Sequence, residues 1–176
     1  MAVVDLDAAR THLGLEPDDL VGDSVVQGLI LAAAGHIERN YGFAANRREA
    51  QYRFDRFGRM LTIPVYPVAD DSAVTVSYID PAGDEQPFTA FRRVDLDGWT
   101  RVMPICGAFP RTLCQAGVIT VTCTVGFGDG GEDDPVFGPV RAAMLAWISA
   151  LFDNSDTAVE PSIVPLLLDG MRRHRV

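Results

Sequence analysis

Hydrophobic positions along this chain change their period twice. Around Asp5 to Leu13 and again from Asp23 to Tyr41, apolar residues recur at three- and four-residue spacings, which predicts two amphipathic helices. Leu6, Ala8, Ala9 and Leu13 form one edge of the first, and Gly14 stops it; Val26, Leu29, Ile30, Ala33 and Ile37 line the second, with Asp23 or Ser24 as the expected cap and Gly42 as the stop. Between Arg47 and Val125 the pattern switches to alternation. Tyr52 and Phe54 fall on one face and Arg53 and Asp55 on the other, while Leu61, Ile63 and Val65 alternate beside Pro64 and Pro67, which confine that segment to an edge or a strand end. Val74 to Tyr78 leads into Asp80-Pro81-Ala82-Gly83-Asp84, a turn that predicts a hairpin returning through Pro87 and Phe88. Short strands follow around Arg92 to Asp95 and Thr100 to Pro104, and Val118 to Val125 is the strongest strand. The helical period then returns from Pro139 to Phe152, with Val140, Met144, Trp147 and Leu151 on one face.

With 176 residues, 48% of them hydrophobic, the chain can bury one good core, so we expect a single domain over 1–152. Its helices are placed at 5–13, 23–41 and 139–152, around a β region at 47–125. Residues 153–176 read as a linker, DNSDTAVE, followed by a short C-terminal segment with Leu166, Leu167 and Leu168 and a basic end. There is no signal-peptide pattern and no apolar run near the ~20 residues that span a bilayer, so we expect no membrane association.

Charge narrows the function classes. The 24 carboxylates outnumber 15 basic side chains, all of them arginine, for a net charge of -9, which disfavours a general binder of nucleic acid. The three cysteines, at 106, 114 and 123, lack zinc spacing and a disulfide framework. His12, His36 and His174 match no paired-His motif, and no serine sits in a nucleophile elbow. We expect no catalytic residue, no cofactor and no metal.

Two segments invite chemistry and need weighing. Gly126, Gly128 and Gly131 spell GxGxxG between a strand and a helix, as in a dinucleotide-binding enzyme. Asp129, Glu132, Asp133 and Asp134 crowd the same turn and would repel a pyrophosphate, and no later strand completes the unit. Those acids do not have the spacing of a calcium loop either; near a helix N-terminus they suit the helix dipole. Arg47, Arg48, Arg53, Arg56 and Arg59, interleaved with Tyr52, Phe54 and Phe57, are the nearest approach to a nucleic-acid patch. A small DNA-binding protein using that strand is the alternative reading; a nucleotide-binding enzyme is the weaker one.

The order of features carries further information. The run LDAARTHLGL, the helix VVQGLILAAA ending ERNYG, the strands LTIPVYPV and VTVSY, and finally ITVTCTVGFG followed by PVRAAML resemble the phage head-tail connector (adaptor) family, which includes the adaptors of gene transfer agents. The resemblance spans nearly the whole chain. It departs in the longer acidic insert at Gly130 to Asp134 and in Cys123, where the family often has an aromatic residue.

The resemblance implies an α+β fold: N-terminal and C-terminal helices in a small bundle, a central, mostly antiparallel β region and a C-terminal tail. It also implies a structural virion protein, assembled in the host cytoplasm as a ring, typically a dodecamer. Such a ring would join the portal protein to the next stopper or tail component while DNA passes through without specific binding. By position, Ile163, Leu166, Leu167, Leu168, Met171, Arg172, Arg173 and Arg175 are candidates for docking to the portal. Gly28, Ala32 and Gly35, a small-residue stripe, together with Arg53 and Arg56, are candidates for subunit contacts. Asp129, Glu132, Asp133 and Asp134, with Asp70, Asp71, Asp84 and Glu85 as further possibilities, are candidates for an acidic channel wall that DNA does not stick to.

Overall fold

A computed structural model describes residues 2–16, 19, 21–69, 73–96, 99–105, 107–127, 133–153 and 159–171. The chain divides into two compact units, a helical unit made of Met1–Arg47 and Phe127–Val176, and a β unit made of Arg48–Gly126.

The helical unit holds four helices: α1 (Leu6–Leu13), α2 (Asp23–Tyr41), α3 (Phe137–Asp153) and α4 (Ile163–Leu168). Asp5 starts α1 by accepting a 2.8 Å hydrogen bond from the Ala8 amide, a cap of about 1 kcal/mol. Gly14, at φ 68°, ends it in the left-handed conformation that an L side chain resists. α2 begins differently from expectation. Gly22 holds the cap position and no side chain caps the helix, because Asp23 is already helical and pairs with Arg10 at 2.9 Å. That arginine also donates to the Val21 and Glu16 carbonyls, which fixes the connection between α1 and α2.

α3 starts two residues before the expected Pro139. The Asp134 carboxylate accepts from the Val136 amide at 2.8 Å and its carbonyl accepts from Phe137, so the turn winds into the helix early. Pro139 remains within the first turn, where its missing N–H costs no helix bond. The apolar stripes meet as their periodicity requires: Val26, Ile30, Ala33 and Ile37 of α2 and Val140, Met144, Trp147 and Ile148 of α3 are buried, and the two helices pack together. α4 packs on α3 through buried Val164 and Leu168. No described helix is long and apolar enough to cross a membrane.

The β unit contains a four-stranded antiparallel sheet in the order β1-β7-β3-β4 and a three-stranded one in the order β2-β6-β5. The strands are β1 (Arg48–Phe54), β2 (Leu61–Thr62), β3 (Thr75–Ile79), β4 (Glu85–Pro87), β5 (Phe91–Leu96), β6 (Trp99–Pro104) and β7 (Ile119–Val125). β7 lies between β1 and β3, with Val121 opposite both Tyr52 and Val76. Its Ile119, Val121, Cys123 and Val125 are buried, and Thr120, Thr122 and Thr124 between them are only half-buried. The expected hairpin is β3 and β4, and the proline-flanked Leu61 segment is an edge strand. Helices at both ends of the chain, with antiparallel sheets between them in sequence, make this an α+β fold.

Arg93 of β5 ties the two sheets together. Its guanidinium donates to the Val68 and Ala69 carbonyls at 2.9 and 2.8 Å and to Asp95 at 2.8 Å. The Ala69 amide in turn donates to Thr124 of β7, and Gly126 donates back to Pro67. Asp95 also accepts from the buried Thr100 hydroxyl.

Candidate assembly surfaces

The small-residue stripe of α2 faces outward. Gly28, Ala32 and Gly35 are exposed, and a Cβ added at either glycine would meet nothing within 4 Å. Internal packing does not explain the glycines. Val25 and Leu31, beside them on the same helix, are also largely exposed, at 54% and 64%. Arg53 and Arg56 are exposed on and just after β1. The five arginines from 47 to 59 are all exposed, and Tyr52, Phe54 and Phe57 are half-buried; within β1, strand alternation separates Arg53 from Tyr52 and Phe54.

The C-terminal candidates differ in exposure. Ile163 and Leu166 point outward, at 47% and 81% exposure, and Leu167 and Met171 are half-buried. Leu168 is fully buried, which removes it from the docking surface and makes it an anchor of α4. Arg172, Arg173 and Arg175 lie outside the described residues. Nor is the start of this segment a free linker. Glu160 accepts a 2.9 Å hydrogen bond from the Tyr41 hydroxyl and lies 2.7 Å from Nε2 of His36, whose ring sits 4.6 Å from that of Trp147. His36, in sequence an unassigned histidine, therefore holds the entry to α4 on α2.

Of the acidic candidates, Asp133 is exposed, and Asp134 is committed to the turn that starts α3. Asp129 and Glu132 lie outside the described residues, as do Asp70, Asp71, Gly128 and Gly131. Asp84 and Glu85 are exposed at the tip of the β3–β4 hairpin. Asp80 organises that tip: its carboxylate accepts from the Asp84, Ala82 and Gln86 side of the turn, and these bonds, the one from the Asp84 amide first, hold its pKa below the usual value.

The described residues contain no group of three or more His, Cys, Asp or Glu side chains that could hold a metal. Cys114 is exposed, and Cys123 is buried in the sheet, where desolvation pushes its thiol up to about 11 despite the opposing charge of Arg93. Such a thiol stays protonated and inert at neutral pH.

One surface feature was not legible in the sequence. Phe57 stacks on Phe109 with ring centroids 4.4 Å apart and planes 5° from parallel, and Phe88 lies within 6.1 Å of Phe57, Phe91 and Phe109. Tyr78 closes on the Phe57 edge at 5.9 Å. These rings come from four separated segments, and all remain half-exposed.

No family model and no curated protein sequence matches the chain. Solved structures do. A chain in the neck of an empty gene transfer agent particle, determined with sixfold symmetry, shares 25% identity and a TM-score of 0.76 over 99% of this chain and 91% of that one. A chain in the neck of a native particle, determined with twelvefold symmetry, shares 25% identity and a TM-score of 0.72 over 97% and 89%. A chain in the virion of a native particle has the same fold at 24% identity and a TM-score of 0.74. These likenesses bear out the resemblance to head-tail connectors, and with it the reading of the chain as a structural head-tail component of a phage-like particle.

Proposed function

We propose that this virion component works as an adaptor ring, most simply a dodecamer, that joins the portal protein to the next stopper or tail component and encloses the DNA channel. The observation that supports the reading best is the likeness, over nearly the full length, to neck chains in particles determined with sixfold and twelvefold symmetry. A heterologous contact that closes on itself produces such rings, and it needs two different faces on each copy. This chain leaves apolar residues exposed on α2 and on α4, in the helical unit, and an aromatic surface in the β unit.

The work is binding, with no chemical step and no cofactor. α4 is the portal-docking element, with Ile163 and Leu166 as the side chains offered to a groove and the basic end after Met171 as its electrostatic partner. The acidic balance of the chain suits a channel, because carboxylates repel phosphates and let DNA slide. Of the acidic candidates among the described residues, Asp84, Glu85 and Asp133 are exposed and are the ones proposed to contribute.

Co-sedimentation with purified portal tests the docking. The full chain is expected to pellet with portal, a chain ending after Asp153 to stay in the supernatant, and the double substitution Ile163→Ser with Leu166→Ser to bind at least tenfold more weakly. Equal pelleting of all three would refute α4 as the docking element.

A further inference from the structure

We propose that the arginine-flanked aromatic surface of the β unit is the site where a second copy of this chain docks, through the acidic helical unit of that copy. The inference rests on the ring reading above and names the faces that would close the ring.

Phe57, Phe88, Phe91 and Phe109 form a contiguous ring cluster, yet each keeps part of its surface in water. Ile105 extends the surface: its amide bonds to the Ala90 carbonyl between Phe88 and Phe91, and its side chain is 61% exposed. Leaving this much adjoining apolar surface wet is unfavourable. Arg56, Arg59 and Arg111 flank Phe57 and Phe109 in sequence, all three are exposed, and none has an ion-pair partner among the described residues. Aromatic anchors with arginine at the margin are the composition of a protein-protein hot spot.

The occupant follows from charge. The helical unit carries 15 carboxylates against 7 arginines, whereas the β unit carries 9 against 8. The surface that complements an apolar patch flanked in sequence by exposed arginines is thus present on every other copy. That unit also offers apolar side chains of its own, Val25 and Leu31, exposed on α2 downstream of Asp19 and Asp23. A contact of β unit to helical unit uses different faces on the two partners, as a ring requires. Nucleic acid fits less well, since a net charge of -9 opposes its approach.

The absence of lysine allows a direct test. Arg59→Lys places a single side-chain amine beside the patch, and a carbodiimide then joins it to any carboxylate in contact. The full-length variant, mixed with isotope-labelled copies, is assembled alone at high concentration and on portal. Mass photometry and electron microscopy score rings, and mass spectrometry locates the cross-links. Cross-links from position 59 to carboxylates of the helical unit of the differently labelled copy are expected. Arg56→Glu with Arg59→Glu should weaken self-association at least tenfold while leaving the circular dichroism unchanged. Rings that form with cross-links elsewhere, or that tolerate the charge reversal, would overturn the patch and leave the ring reading standing. Absence of rings under both conditions would overturn both. Salt-sensitive binding of single-stranded DNA that the same charge reversal abolishes, without inter-copy cross-links, would assign the patch to DNA instead.

Discussion

Each of the two units is stabilised within itself by different physics. In the helical unit, stability comes from apolar stripes that meet across α2, α3 and α4, with a few side-chain bonds fixing the connections. In the β unit, strands distant in sequence are joined through register, and one guanidinium spans the two sheets. The helical unit carries most of the excess negative charge, and the β unit is nearly balanced. In the proposed ring around DNA, that division leaves the β unit its arginines for protein contacts.

Each unit has its own tryptophan, Trp147 in α3 and Trp99 in β6, so variants retaining one of them report the units separately. The largest effect is expected from emptying the helical core. Met144→Ala should cost about 2–5 kcal/mol, read as a lower urea midpoint of the Trp147 signal, because Met144 is fully buried. A cost below ~1 kcal/mol would mean that the stripes do not carry the unit.

Arg93→Ala should come next, at about 1–3 kcal/mol on the Trp99 signal, since it strips donors from the Val68 and Ala69 carbonyls and frees Asp95. Arg93→Lys should recover only part of this, because a single ammonium cannot span three acceptors. Full recovery would show that charge alone matters there.

Glu160→Ala should have a smaller effect, about 0.5–1.5 kcal/mol, and a local one. Amide exchange in α4 should quicken more than in α2 or β7. Uniform quickening would mean that Glu160 supports the whole unit and is no latch for α4.

The smallest effect concerns Asp80. Its pKa is lower folded than unfolded, so its contribution to the hairpin is present above the unfolded value near 3.8 and is lost as pH falls through the folded one. NMR signals of Asp84 to Pro87 should broaden or shift below pH ~4 in the native chain and change less in Asp80→Asn. An unchanged acid response in that variant would place the sensitivity elsewhere.

The same division governs what could be read in the sequence. α1 and α2 occupy their expected spans because each helix bond is local and the stop signals at Gly14 and Gly42 are local too. β7 was recognisable from its alternation, but its place between β1 and β3 was not, since pairing partners some 70 and 45 positions away leave no local trace. The small-residue stripe of α2 was visible as a pattern, and only the structure shows that it faces outward. Leu166 and Leu168 look alike in the sequence, yet one is exposed and the other is an anchor. The aromatic surface was invisible because residues 57, 78, 88, 91 and 109 come together only once the strands have paired. Glu160 was hidden in the same way, its partners His36 and Tyr41 lying more than a hundred positions earlier.

Ring formation within a head-tail neck is the role proposed for this chain. Electron microscopy of the full chain bound to purified portal, reconstructed without imposed symmetry, tests it most directly. A closed ring of twelve copies coaxial with the portal, with an open channel through both, is expected. Isolated copies bound at irregular positions, or no density beyond the portal, would contradict it.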